Sequence, residues 1–167
     1  QDAKNILVLS TKTYPRNLLL NQYKIDLNKD ENFKSNFNCK NRSNVIAEIF
    51  YITANAFSSQ SMYSLSNFYL NLSKYLNKDF SSFDTLLAEN FFKIENFEKS
   101  KKIYDQMKKQ GSTYLWYAAK QKSKILLIEK KDEEAIKLMS ESYKKLTDKN
   151  LYDTFDFAEF LKRNEKY

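Results

Sequence analysis

Apolar residues recur along the chain at helical spacing, in paired stretches separated by short polar breaks. The segment 82–111 is typical, because the polar pair Glu95 and Asn96 separates two apolar stripes. The first stripe comprises Leu86, Leu87, Phe91 and Ile94, and the second comprises Phe97, Ser100, Ile103, Tyr104 and Met107. Spacing of this kind predicts two amphipathic helices joined by a tight turn, with Gly111 as a C-terminal stop.

The same pattern predicts an all-α chain. The predicted helices cover about 3–10, 15–28, 44–59, 62–77, 81–94, 97–110, 114–129, 132–146 and 150–164. Pro15 is expected in the first turn of the second helix, where its missing N–H does no harm. We interpret 1–167 as one domain with N-terminal helices (1–30), a polar connector (31–42), helix-pair repeats (44–77, 81–111 and 114–147) and a half repeat (150–167).

A period of 34 or 35 residues relates these helix pairs. Small residues recur in the first helix of each pair, and large apolar residues follow three positions later: Ala54, Ala88, Ser123 and Ala158, then Phe57, Phe91, Leu126 and Leu161. The second helices show the same alternation four positions apart: Ser66, Ser100 and Ala135, then Leu70, Tyr104 and Met139. A small side chain lets two helices approach closely, and a bulky one fills the groove beside it. Because one such pair cannot bury its own apolar stripes, we expect neighbouring pairs to stack.

These motifs resemble the tetratricopeptide repeat. The residues Leu87-Ala88-x2-Phe91, Ser100-x3-Tyr104 and Ala135-x3-Met139 match parts of its signature. The chain departs from the family at its Trp position, occupied by Asp84 and Ala119, and at its closing Pro, replaced by Lys78, Ser112 and Thr147. The resemblance implies a right-handed α-α superhelix, or solenoid, of antiparallel helix pairs. From residue 45 onward the chain also looks similar to bacterial multi-repeat proteins without an assigned role. The unfinished last repeat suggests a fragment of such a larger bacterial protein.

The resemblance also implies a function, since proteins of this family usually bind partners in a concave groove lined by the first helix of each pair. That groove would present Tyr51, Asn55, Glu89, Phe92, Lys93, Tyr117, Lys120, Lys124, Tyr152, Phe155, Lys162 and Arg163. Aromatic contact area combined with basic charge is typical of peptide-recognition surfaces. Lys120 and Lys124 lie one turn apart, so an acidic partner would relieve their mutual repulsion. The alternative is that the aromatic residues pack against the next repeat and the lysines are merely solvated.

Composition excludes several kinds of chemistry. One Gly is too few for a Gly-rich phosphate loop, and the absence of His removes imidazole-based nucleophile pairs and HExxH zinc sites. The single cysteine, Cys39, cannot form an internal disulfide. Glu133 and Glu134 fall in the first turn of a predicted helix, where they complement its dipole. We therefore predict a non-catalytic scaffold for protein or peptide partners, with no cofactor and no metal.

Charge leaves two further functions open. The net charge is +7, but only 3 of the 28 basic residues are Arg, the side chain that nucleic-acid readers favour. A basic nucleic-acid-binding repeat module is therefore the second reading. The third is self-association through the half repeat, where Phe155, Phe157 and Leu161 lack a following helix. No apolar run is long enough to span a membrane, and the first ten residues do not read as a signal peptide. We expect a soluble protein, cytoplasmic or exported to the periplasm if a leader was removed, as a chain beginning with Gln1 would allow.

Overall fold

The computed structural model describes residues 2–29, 37–80 and 82–164, with side chains from residue 4 onward. Within these ranges the chain forms α-helices and no β-strand. The helices are α1 (Asp2–Thr13), α2 (Leu18–Asn28), α3 (Arg42–Ser59), α4 (Tyr63–Leu76), α5 (Ser82–Lys93), α6 (Phe97–Met107), α7 (Ser112–Ile128), α8 (Asp132–Lys145) and α9 (Leu151–Arg163). A 3₁₀ turn, Lys108–Gln110, follows α6. The prediction of an all-α fold is confirmed.

Each helix begins and ends within three residues of the predicted bounds, and one local prediction was wrong. Pro15 does not lie in the first turn of α2, because the Asn17 side chain caps the helix by accepting a hydrogen bond from the Leu20 N–H. Gly111 follows the 3₁₀ turn that continues α6, as predicted, and its carbonyl accepts a hydrogen bond from the Leu115 N–H of α7. Half of the predicted polar connector, 31–36, lies outside the described residues, and α3 begins at Arg42 within the connector.

The helices divide into two compact units. The central unit is Lys34–Tyr104, and the terminal unit combines Gln1–Phe33 with Asp105–Tyr167. The division falls within α6, so that helix contributes to both units. In the central unit α3 packs on α4 and α4 on α5; in the terminal unit α2 packs on α7, α7 on α8 and α8 on α9.

Each unit has its own apolar core. The core of the central unit is formed by Ala54, Leu70, Phe83 and Leu87, with half-buried aromatic residues such as Tyr51, Tyr69 and Phe80 around it. The core of the terminal unit is formed by Trp116, Ala119, Met139 and Leu146. In the terminal unit Phe157 of α9 stacks on Tyr143 of α8, with ring centroids 4.4 Å apart. The sequence analysis expected Phe157 to lie on an uncovered apolar end face. Phe157 is instead packed against α8.

The small residues of the 34- or 35-residue period are buried, with the exception of Ala158. Ala88 and Ser100 are both fully buried, which confirms the packing expected of them. The Ser66 hydroxyl donates to the Ala54 carbonyl at 2.8 Å, and the Ser100 hydroxyl donates to the Ala88 carbonyl at 2.9 Å. These equivalent bonds tie α3 to α4 and α5 to α6. Ala158, the last member of the small column, is exposed, and the described residues contain no helix after α9 that would cover it.

The three turns between paired helices share one backbone conformation. Each contains a non-glycine residue in the left-handed region, Ser61, Glu95 or Lys130, with φ of 61°, 58° and 58°. In each turn the next residue's N–H donates to the carbonyl five positions earlier: Met62 to Phe57, Asn96 to Phe91 and Lys131 to Leu126. This is the Schellman ending of a helix. The three helix pairs therefore share one turn conformation, repeated at intervals of 34 and 35 residues.

Candidate functional site

The terminal unit brings charged side chains of α7 and α9 together at one face. The helical spacing of Tyr117, Lys120 and Lys124 places them on one side of α7. On α9 the same spacing relates Tyr152, Asp156, Glu159 and Arg163. The two helices are linked by an ion pair between Lys120 Nζ and Asp156 Oδ2, 2.6 Å apart.

Asp156 is the electrostatic centre of this face. Its second oxygen, Oδ1, accepts a hydrogen bond of 2.8 Å from Arg16, which lies just before α2. The Asp156 side chain is largely buried, so this carboxylate is screened less from its two cations than a surface carboxylate would be. The Arg16 guanidinium also lies over the Tyr152 ring, 5.3 Å from its centroid. Three segments distant in sequence are therefore joined at one acidic residue.

Helix α2 lies against this face and packs on α7. Lys24 pairs with Asp148 at 2.9 Å, and Ile25 is buried. The Gln22 side chain accepts a hydrogen bond of 3.2 Å from the Thr113 N–H in the first turn of α7. Since the first-turn N–H groups of a helix lack intrahelical partners, Gln22 satisfies one of them.

Gly111, the only glycine of the chain, lies beside the Gln22 side chain. A Cβ at this position would overlap the side-chain amide of Gln22. The backbone there also has a φ of 136°, which side-chain-bearing residues rarely adopt. The backbone conformation thus requires glycine, whereas the Gln22 amide lies at the end of a flexible side chain that can shift.

Two openings remain at this face. The smaller, about 240 Å³, lies between α2, α7 and α9 and is lined by Tyr117 and Tyr152 among others. The larger, about 560 Å³, lies between α7, α8 and α9, and we call it the basic cleft. Its charged lining comprises Arg16, Lys120, Lys124, Asp156, Glu159 and Arg163. Four cations and two carboxylates give this lining a formal charge of +2, while Leu127, Met139 and Phe160 supply apolar surface. A cleft of this composition favours an anionic group attached to an apolar one.

Asp153, in the first turn of α9, has a pKa that its surroundings raise. Burial raises the pKa of Asp153, and the nearby Asp156 charge raises it further, against hydrogen bonding to Asn150 and the charge of Lys120. The Asp153 carboxylate accepts from the Asn150 N–H, and the Asn150 side chain accepts from the Asp153 N–H in return. This capping box fixes the start of α9, and with it the position of Asp156 one turn later.

The predicted groove residues of the terminal unit all lie on α7 and α9. Lys120, Lys124 and Arg163 line the basic cleft, and Tyr117 and Tyr152 line the smaller cavity. Phe155 and Lys162 are exposed on α9. Lys120 and Lys124 were expected to repel one another until an acidic partner binds. Asp156 of the same chain already pairs with Lys120.

The predicted groove residues of the central unit differ in exposure. Asn55 and Lys93 are exposed, whereas Tyr51, Glu89 and Phe92 are half-buried. Tyr51 packs edge-on against Phe80 at 5.2 Å, and Phe92 packs against Phe97 at 5.8 Å. These two rings thus make packing contacts.

The charge of Glu89 affects the pKa of Tyr104, a buried residue. Burial first, and then the Glu89 charge, raise the pKa of Tyr104 far above its ordinary value, so that its hydroxyl stays protonated.

Sequence reasoning missed Arg16, Gln22 and Lys24 as parts of the site. Their partners lie 91 to 140 positions further along the chain, and no periodicity connects them. The signal present in the sequence was Gly111, whose isolation in a helix-rich chain marks a backbone conformation that other residues rarely adopt.

Two absences hold for the part of the chain that the structure describes. No group of three or more Cys, Asp or Glu side chains is arranged to hold a metal ion. No helix there combines the length and the apolar character needed to cross a membrane.

Comparison with known proteins adds no relative. No protein-family model matches the chain, and no curated protein or solved structure is significantly similar to it.

Proposed function

We propose that the chain is a tetratricopeptide-like array of helix pairs that acts as a non-catalytic scaffold for a protein or peptide partner. The partner segment is acidic and partly apolar, and its site is the basic cleft between α7, α8 and α9. The common turn, the buried small residues and the repeated Ser–carbonyl bonds support the tetratricopeptide assignment and the superhelix it implies.

The observation that carries the proposal is the position of α2. This helix already lies against the first helix of a repeat, where proteins of the resembling family bind their partners. It is held there by one buried aliphatic residue, Ile25, by the Gln22 contact with Thr113 and by the ion pairs Arg16–Asp156 and Lys24–Asp148. Helix α7 therefore accommodates a helical segment beside the basic cleft, in the manner of helix-in-groove recognition.

The charge of the basic cleft gives the partner its chemistry. Three of the four cations, Arg16, Lys120 and Arg163, already pair with Asp156 or Glu159. The excess of two positive charges favours carboxylates of a partner over lysines. Such attraction steers association and weakens as salt is added.

Selection from a random-peptide library displayed on phage, with the full chain immobilised, tests the proposal. We expect acidic peptides with one or two large apolar residues. The affinity of a selected synthetic peptide is then measured by fluorescence anisotropy. The double variant K124E/R163E should weaken binding by at least about tenfold, because it reverses the charge of the cleft.

A matched control is the double variant K137E/K144E. Both lysines are exposed on α8 and neither lines the basic cleft, yet the change in net charge is the same. The proposal requires this control to bind as the unmodified chain does. Equal loss in both variants would indicate unspecific attraction, and a selection without acidic peptides would contradict the proposed partner.

A further inference from the structure

Helix α4 carries an apolar stripe on the side that its neighbours leave uncovered. Leu65, Phe68, Leu72 and Tyr75 follow one another at intervals of three, four and three residues, which places them on one face. The exposed fractions of Leu65, Phe68 and Tyr75 are 36%, 56% and 79%. The opposite side of the helix carries Ser66, Leu70 and Ser73, all fully buried.

The equivalent positions in the other two helix pairs are polar and mostly charged. In α6 and the 3₁₀ turn after it they are Lys99, Lys102, Gln106 and Lys109, and in α8 they are Glu134, Lys137, Glu141 and Lys144. All eight are exposed. The fold of a helix pair therefore does not require apolar residues at this face, and in α4 they need another explanation.

The surroundings of the stripe are almost without charge. From Ser43 to Ser73 the only charged residue is Glu48, in a chain in which 29% of residues are charged. Two copies of a chain with a net charge of +7 repel one another, and they do so least where neither presents a cation. Lys74, the one charged residue of α4, forms an ion pair with Asp84 within the same unit.

The spacing of the stripe is self-complementary. Intervals of three, four and three residues are symmetric about Leu70, and they repeat the a and d positions of a short coiled-coil seam. If two α4 helices lie antiparallel about a two-fold axis near Leu70, Phe68 faces Leu72 of the other copy, and Leu65 faces Tyr75. We propose that this stripe is the interface between two copies of the chain, which pair antiparallel through α4.

The size of the stripe sets the strength of this pairing. Aromatic side chains offer about 150–250 Å² each, so the stripe exposes roughly 350 Å² per copy. Two copies bury roughly 700 Å² from these side chains, against about 1,600 Å² in a standard stable interface. We expect a weak, reversible dimer rather than an obligate one.

A lipid surface fits the same stripe less well. Helices that lie on anionic membranes carry Lys and Arg on the polar face beside the apolar one. Helix α4 has a single cation, already paired, and its polar positions are Ser and Asn. The absence of flanking basic residues favours the second copy.

Sedimentation velocity of the full chain, from about 1 μM to about 1 mM, tests the proposal. We expect the average mass to rise toward twice that of the monomer. The double variant F68K/Y75K introduces the lysines found at the equivalent positions 102 and 109, so we expect it to fold and to dimerise about a hundredfold more weakly. Circular dichroism and a thermal melt confirm that it is folded.

The matched control is L151K/F155K, which adds the same two charges at exposed apolar residues of α9. We expect it to dimerise as the unmodified chain does. A mixture of the single variants F68K and L72E tests the antiparallel register, because the lysine introduced in one copy then faces the glutamate introduced in the other. Each variant should be monomeric alone, and the mixture should dimerise.

Three results would overturn the proposal. The first is a chain that stays monomeric throughout the concentration range. This holds also if the monomer sediments with phosphatidylcholine–phosphatidylglycerol vesicles, because the stripe would then bind lipid and not a second copy. The second is equal dimerisation of F68K/Y75K and the unmodified chain. The third is loss of the dimer in L151K/F155K but not in F68K/Y75K, which would place the contact on the terminal half repeat.

Discussion

Helices α4 and α8 occupy equivalent places in two helix pairs, and they differ in almost everything that faces solvent. Both contain 14 residues, follow a left-handed turn residue and bury a small residue followed by a large apolar one. Yet α4 has one charged residue and α8 has seven. The buried columns therefore specify the backbone, while the exposed columns are free to specify what each pair contacts.

The largest expected effect tests the shared core. Leu70→Ala in α4 and Met139→Ala in α8 remove equivalent, fully buried side chains. We expect each to lower the free energy of unfolding by about 3 kcal/mol, through lost burial and the cavity left behind. Urea unfolding followed by circular dichroism measures both. A cost below about 1 kcal/mol for either residue would break the equivalence of the two pairs.

The next effect concerns a difference inside the core. Asn90 of α5 is buried and hydrogen-bonded to Ser58, Ser66 and Asn67, whereas the equivalent residue of α7 is Ile125. We expect Asn90→Ala to cost about 2 kcal/mol, because it leaves buried polar partners without their bonds. The double variant S66A/N90A should cost less than the two single variants summed, since they share one hydrogen bond. Strict additivity in urea unfolding would contradict this network.

A smaller effect tests the common turn. Ser61, Glu95 and Lys130 adopt the left-handed conformation in which glycine is favoured. We expect glycine at each position to raise the free energy of unfolding by about 0.5–1 kcal/mol, seen as a higher melting temperature. Alanine at the same positions is the control and should bring no such gain. A gain in one turn only would show that the three turns are not energetically equivalent.

The smallest effect is the pH dependence of the free energy of unfolding that is due to Asp105. Burial alone would raise the pKa of Asp105, but hydrogen bonds from Lys108 and Lys122 outweigh it and hold this pKa below its ordinary value of 3.8. The folded chain thus binds this proton less tightly than the unfolded chain does. Stabilisation by Asp105 is complete above the ordinary pKa and is lost as the pH falls through the lowered one.

Asp105→Asn measures this contribution. Because Asp105 is half exposed, we expect the variant to be less stable than the unmodified chain by less than about 1 kcal/mol at pH 7. This difference in stability should shrink as the pH falls to about 2.5. The midpoints of urea unfolding, measured at each pH, follow the change. A difference that stays constant over this range would show that the carboxylate charge is not responsible.

Most of the fold was predictable from the sequence. The small and large columns, such as Ala88 with Phe91 and Ser100 with Tyr104, repeat locally, so helix pairing is readable from spacing alone. The position of α2 was not readable, because it depends on single contacts such as Gln22 with Thr113 that have no period. The start of α2 was missed because the Asn17 cap outweighed the preference of Pro15 for a first turn.

The candidate site was predictable only in part. Spacing placed Lys120, Lys124 and Arg163 on the appropriate faces of their helices, and all three line the basic cleft. It did not show that Asp156 would join Arg16 and Lys120, since pairing between helices depends on tertiary packing. Half-buried Tyr51 and Phe92 show a further limit, because an aromatic residue at a groove position can also pack on a neighbouring ring.

The docking of α2 has a consequence for the order of synthesis. Helices α1 and α2 leave the ribosome before α7 and α9, and Asp156, the carboxylate that holds Arg16, is made 140 residues after it. At typical rates of translation this delay lasts on the order of ten seconds, far longer than helix formation itself. Until α7 has been made, α2 lacks the helix on which it packs. Helices α1 and α2 thus reach their native contacts only after a later part of the chain has been made.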